Sequence, residues 1–131
     1  MSIDRELVSR WLAAYIQAWQ SYDPDAIGAL FADDATYAWH PYDRGDDVVR
    51  GRDAIVAAWL ADRDVPGSYT AHYAPLAVDG NLAVTTGTTQ YRDSSGALVR
   101  EFHNCFMIEF DAQGRCSAFT EWFMQTPQRR P

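Results

Sequence analysis

Glu121 and Asn104 are the residues of this 131-residue chain whose types and spacing best support chemistry. They lie in two runs rich in aromatic and β-branched residues, Leu98–Phe110 and Cys116–Gln125, joined by Asp111-Ala112-Gln113-Gly114. That composition reads as an antiparallel hairpin. With Asp111–Gly114 as the loop, Phe110 pairs with Arg115, Phe106 with Phe119, Asn104 with Glu121 and Phe102 with Phe123. One face then carries Phe102, Asn104, Phe106 and Ile108 against Phe119, Glu121 and Phe123. The other carries His103, Cys105 and Met107 against Ala118, Thr120 and Trp122. A carboxyl in a wall of phenylalanines is either structural, held by Asn104 or an ion pair such as one with Arg100, or it is an acid/base group whose pKa burial has raised. In the second case Asn104 and Glu121 line a cavity with apolar walls.

The three histidines are the other proton carriers. His40, just before Pro41 at a strand end, has a side chain that titrates near neutrality and is either a site residue or a loop cap. His72 has no evident partner, and His103 falls on the face opposite Glu121, as an interface or surface residue. Cys105 and Cys116 form neither a CxxC nor a histidine-containing zinc spacing, so both are expected to stay reduced. Neither a metal nor any other cofactor is expected.

These candidates need a scaffold, and the chain supplies one in two halves. Val8, Trp11, Leu12, Tyr15, Ile16 and Trp19 recur at three- and four-residue steps between Asp4 and Tyr22, predicting an amphipathic helix. Asp23-Pro24-Asp25 starts a second helix, about Pro24–Phe31. Thr36–Trp39 reads as a short strand, with Asp33 and Asp34 as turn residues before it. An acidic loop follows over Pro41–Arg50, whose Asp43–Asp47 stretch, with Gly45, is a solvated lid. After Gly51, a third helix runs to about Ala61. Beyond Pro66-Gly67 the helical period gives way to four strands, Ser68–Val78, Leu82–Arg92, Leu98–Phe110 and Cys116–Gln125. Helices followed by an antiparallel meander indicate an α+β domain, the three helices packed on one face of a strongly curved sheet. The chain is read as one domain, with a core over about 5–126 and a tail at 127–131.

Five Trp, seven Tyr and six Phe in so short a chain imply a dense core or an aromatic pocket. A net charge of −7 and a pI near 4.7 disfavour nucleic acid, since the one basic cluster is Arg129-Arg130 at the end of the chain. No window reads as a membrane span, and Met1–Glu6 does not read as a signal peptide. The expectation is a cytoplasmic protein that contacts no membrane.

The aromatic first helix, the run Asp23-Pro-Asp-Ala-Ile-Gly-Ala-Leu-Phe-Ala-Asp-Asp-Ala-Thr36, the Arg50-Gly-Arg-Asp-Ala-Ile55 start of the third helix and the final hairpin together resemble the nuclear-transport-factor-2-like superfamily. That superfamily includes the ketosteroid isomerases and the SnoaL-like polyketide cyclases. The resemblance covers about residues 5–126 and implies a mixed, cone-shaped, cystatin-like α+β barrel with a mostly apolar pocket at its open end. It also implies a homodimer through the outer sheet face. Aligned with the ketosteroid isomerases, Tyr15 takes the place of their oxyanion-binding tyrosine. His40, or Trp39 if the gap shifts, stands where their general-base aspartate does. Phe106 replaces their second oxyanion donor. Phenylalanine cannot donate a hydrogen bond, so steroid isomerisation is disfavoured. Gly114-Arg115 followed by Phe119, Glu121 and Trp122 is similar to SnoaL-like proteins of unassigned role.

The resulting expectation is a pocket for a small apolar ligand, with His40, Glu121, Tyr15 and Asn104 as catalytic residues and Trp39, Trp59, Phe102, Phe106, Phe119 and Phe123 as substrate-binding walls. Such a protein is a cofactor-free acid/base cyclase, isomerase, dehydratase or hydrolase. The alternatives are a non-catalytic ligand-binding module and a dimeric accessory protein whose outer face binds a partner.

Overall fold

A computed structural model describes residues 2–127; residues 128–131 of the expected tail, with Arg129 and Arg130, lie outside the described residues. Helix α1 (Arg5–Ser21) starts where the Asp4 carboxylate accepts the Leu7 amide at 2.8 Å, and it ends at Tyr22, whose left-handed backbone (φ 51°) returns its amide to the Ala18 carbonyl. Asp23 caps α2 (Pro24–Gly28) through the Asp25 amide. The second helix is thus shorter than Pro24–Phe31, because the chain enters the sheet early: the Leu30 carbonyl accepts the Cys116 amide, and β1 already begins at Phe31 and runs to Ala38. Asp33 and Asp34 lie inside that strand, at an irregularity in its pairing that turns both outward.

A two-residue strand β2 (Val49–Arg50), too short to leave a sequence pattern, pairs with β1 from within the expected loop. Helix α3 (Arg52–Ala61) follows, then β3 (Tyr69–Asp79), β4 (Leu82–Arg92), β5 (Leu98–Phe110) and β6 (Cys116–Gln125). The six strands form one sheet in the order β2-β1-β6-β5-β4-β3, antiparallel except where β1 runs parallel to β6. The sheet is therefore mixed. It stays open, with β2 and β3 as free edges, rather than closing into a barrel. Among the described residues no helix is long and apolar enough to cross a membrane.

The final hairpin corrects the expected register. Asp111 and Arg115, not Phe110 and Arg115, close the turn; the Asp111 carboxylate accepts the amides of Gln113 and Arg115, and Gly114 takes the left-handed position (φ 77°). A bulge at Ser117 then separates the pairs Phe110–Cys116 and Glu109–Ala118. Each feature slips the strands by one residue. Together they move the pairing by two, so Asn104 faces Phe123, Phe106 faces Glu121, and every side chain of β6 beyond the bulge keeps its expected face.

The inner face packs on α1 and α3. Trp11, Tyr15, Phe31, Tyr37, Phe106, Phe110 and Phe119 are all buried, with Phe119 stacked on both Tyr37 (4.4 Å) and Tyr15 (5.8 Å). Most of the aromatic excess is core. One end of this core, however, is not filled.

Candidate functional site

A cavity of about 330 Å³ opens where α1, β1 and the curled ends of β3–β6 diverge, a volume at the small end of ligand pockets. Tyr15 and Tyr37 lie at its buried side, and their hydroxyls meet at 3.3 Å. Burial raises both phenol pKa values well above the ordinary value, more so because each lies near the Glu121 carboxylate, so both stay neutral donors. One proton lies between the two oxygens, and the other is free to bind a ligand oxygen.

Asn104 and Glu121 stand on the sheet wall of the same cavity. As diagonal rather than direct cross-strand neighbours they still meet, Asn104 Nδ2 donating to Glu121 Oε2 at 2.8 Å. Desolvation pushes the Glu121 carboxyl up from 4.5 to about 7, against the smaller opposing effects of the Asn104 hydrogen bond and the charge of His40. Among the described residues no ion pair relieves it: Arg100, the basic partner considered from sequence, lies over the Tyr91 ring instead. Glu121 is thus hydrogen-bonded and cavity-lining at once, combining the two alternatives that the sequence left apart.

The other expected residues divide. Trp39, Trp59, Phe102 and Phe123 line the cavity. Phe106 and Phe119 do not; each is only 1% exposed and packed into the core, because both rings are claimed by the aromatic stack with Tyr15. His40 is also absent from the lining. The Asp43 carboxylate accepts its backbone amide and bonds its Nδ1, each at 3.1 Å, and this clamp lays the imidazole flat on Tyr42. From there it reaches only the rim, 5.5 Å from the Phe123 ring. Of the two residues considered for the general-base position, Trp39 is the one that enters the wall, sharing an edge contact with Tyr37. Gly45–Asp47 forms a single exposed 3₁₀ turn in the acidic loop. His103 is exposed and bonded to Thr126, and His72 is exposed.

Sequence reasoning missed Tyr37, Tyr73 and Thr89, which line the cavity, and the mouth residues Asp64 and Tyr91. A signal existed. Tyr37 shares its strand face with Trp39, and carrying the hairpin parity one strand further puts Thr85, Gly87, Thr89 and Tyr91 on the face of Phe102 and Asn104. Asp64 gave no such signal: it follows α3 and is held by the Trp19 indole (3.1 Å) and the Tyr91 hydroxyl (3.4 Å). Among the described residues the lining contains three carboxyl groups, Asp62, Asp64 and Glu121, and no Lys, Arg or His. Among the described residues no three His, Cys, Asp or Glu side chains converge as a metal site.

The model of a family described as the SnoaL-like domain matches residues 12–119. No curated protein matches the sequence. Among solved structures, an NTF-2 like protein of unknown function from Burkholderia xenovorans superposes with a TM-score of 0.68 at 23% identity, covering 96% of this chain and 88% of that one. SalBIII, an epoxide hydrolase/cyclase-like enzyme with a role in pyran ring formation in the polyether salinomycin, gives 0.68 at 18% identity, with 92% and 93% covered. An LEH-like epoxide hydrolase of M. tuberculosis gives 0.61 at 21% identity, with 88% and 80% covered. At such identities the structures share a fold, and the family assignment rests on the domain model: this chain belongs to the SnoaL-like domain family.

Proposed function

We propose that the chain is a cofactor-free acid/base enzyme acting on a small, uncharged, oxygen-bearing apolar molecule. The observation that carries this reading is a single carboxyl, Glu121, poised near neutrality in the wall of an aromatic cavity beside two neutral phenol donors. Ionised, Glu121 takes a proton from a hydroxyl or an acidic carbon; protonated, it gives one to a departing oxygen. Tyr15 and Tyr37 hold the oxygen on which charge develops. Phe106, at the position where the resemblance puts a second oxyanion donor, offers none, and Tyr37 takes that part through its contact with Tyr15. Asn104 aims the carboxyl, and Trp39, Trp59, Phe102 and Phe123 supply the apolar walls. His40 acts on Glu121 through space from the rim. With three carboxyl groups and no cation among the described lining residues, carboxylate and phosphate ligands are disfavoured, which favours neutral epoxides, alcohols, ketones or enones.

Epoxide opening, cyclisation, isomerisation and dehydration all need this paired delivery and removal of a proton. The epoxide hydrolase and cyclase-like enzymes that share the fold make hydroxy-epoxides the first compounds to test. The deciding experiment screens small neutral epoxides and enones for turnover and binding with the wild type and Glu121→Gln. The glutamine variant is expected to bind within a few-fold of wild type and to lose at least about 10²-fold in kcat. Undiminished turnover removes Glu121 as the proton carrier. Ligand binding by the wild type with no turnover of any bound compound supports the non-catalytic binding module. The reading includes a homodimer through the outer sheet face, where Met107, Trp122 and Met124 are exposed; sedimentation at micromolar concentration tests it.

A further inference from the structure

Three cross-strand rows meet beside Glu121: Tyr73–Gly87–Asn104–Phe123, Ala71–Thr89–Phe102–Gln125 and Pro75–Thr85–Phe106–Glu121. In the first row glycine separates Tyr73 from Asn104. A Cβ at Gly87 would sit 1.9 Å from the His72 carbonyl oxygen and 2.4 Å from the Tyr73 ring, so only the absence of a side chain lets the tyrosine lie across β4. The Tyr73 hydroxyl thereby reaches Thr89 Oγ1, which lies 3.0 Å from Asn104 Oδ1. Thr89 is only 2% exposed.

Donor counting gives this chain a direction. The ionised Glu121 carboxylate can only accept, so Asn104 must turn its NH₂ toward it and its carbonyl toward β4. That carbonyl takes the Thr89 hydroxyl proton, and Thr89 accepts from Tyr73. The amide is pinned at both ends. Without the threonine donor, the buried Asn104 oxygen loses its partner on β4, and nothing on that side holds the amide in this orientation any longer.

We propose that Thr89 is a positioning residue for Glu121: through a directional hydrogen bond it locks the Asn104 amide so that its NH₂, not its carbonyl, faces the carboxyl. This rests on the reading of Glu121 as the proton carrier. Flipped, Asn104 would present oxygen to oxygen, tolerated only by a protonated Glu121, and the carboxyl would hold its proton to higher pH. The other ionisable groups acting on Glu121 are Tyr15 from α1, Tyr37 from β1, Tyr73 from β3 and His40 beyond β1, with Asp62 and Asp64 in the same lining. None is altered by a change at Thr89 except Tyr73, whose hydroxyl loses a partner.

The chain has four glutamates, Glu6, Glu101, Glu109 and Glu121, so carboxyl-¹³C labelling of glutamate gives a spectrum in which Glu121→Gln identifies one resonance. Thr89→Val is expected to raise the Glu121 midpoint by about one pH unit, the loss of one charge-assisted hydrogen bond, and Thr89→Ser to restore it. Thr89→Ala deletes the same donor without adding a methyl group and replaces valine if that variant does not fold. A midpoint unmoved by Val or Ala, or moved equally by Ser, overturns the positioning role while leaving Glu121 near neutrality. A wild-type midpoint in the ordinary carboxylate range instead removes the acid/base reading, so the two failures are distinguishable.

Discussion

Replacing Glu121 by glutamine removes an ionisable proton from the cavity wall while keeping an oxygen to accept from Asn104, so its effect on stability isolates the cost of the buried charge. The folded state holds the Glu121 proton up to about pH 7, whereas the unfolded chain releases it near 4.5. Below the lower value both states are protonated and the residue contributes no penalty. Between the two, the unfolded state binds fewer protons and stability falls as pH rises, by about 1.4 kcal/mol per pH unit. Above the higher value both states are ionised and the loss levels off near 3 kcal/mol, an order-of-magnitude figure for a half-buried group. The penalty is about 1 kcal/mol at pH 5 and about 3 at pH 8.5, so the stability advantage of Glu121→Gln grows by about 2 to 2.5 kcal/mol across that interval. Urea denaturation of both proteins at the two pH values measures it, and other titrating groups cancel in the difference. A stability difference that is the same at pH 5 and pH 8.5 would show that Glu121 titrates alike in both states, refuting the claim that folding strips its hydration.

Two further substitutions test the scaffold. Gly87→Ala is expected to cost at least about 3 kcal/mol, since the new Cβ meets backbone on β3 that cannot move without breaking the ladder; Gly28→Ala, where the new atom makes ordinary contacts of 3.5 Å or more, is the control and gains up to about 1 kcal/mol of helix propensity in the same denaturation assay. Thr85→Val is expected to stabilise by about 1 kcal/mol, a rise of roughly 4 °C in Tm, because the Thr85 hydroxyl is fully buried without a hydrogen-bond partner among the described residues; a fall in Tm would mean that the hydroxyl is satisfied.

The elements were largely legible because their signals are local. Asp4, Asp23 and Pro24 mark helix starts by chemistry that acts within one turn; β4 and β5 begin and end, and β6 begins, where alternation gives way to Asp- and Gly-containing turns. What was lost depended on tertiary pairing. The two residues of β2 are a strand only because β1 is there to pair with them, and the second helix stops at Gly28 because the Leu30 carbonyl has a partner on β6. Phe106 and Phe119 have the face of a pocket wall but not its depth: a face is set by parity, whereas depth depends on where along the sheet α1 lies, which the strand sequences do not encode.

The juxtaposition of Asn104 and Glu121 shows why the site was more robust to error than its register. A turn closed by Asp111–Arg115 and a bulge at Ser117 each displace β6 by one residue. Either alone would have put Glu121 on the outer face, among Cys105 and Met107, as a solvated carboxylate with no reason to hold its proton. Acting together, they restore its parity and offset it one pair from Asn104, which converts a head-on contact into a diagonal one. In that diagonal Asn104 has Phe123 opposite it and Thr89 on its other side. Its amide can therefore reach Glu121 with nitrogen and Thr89 with oxygen at once. The bulge therefore sets on which face, and at what offset from Asn104, the carboxyl enters the cavity, and sheet irregularity is a determinant of the site.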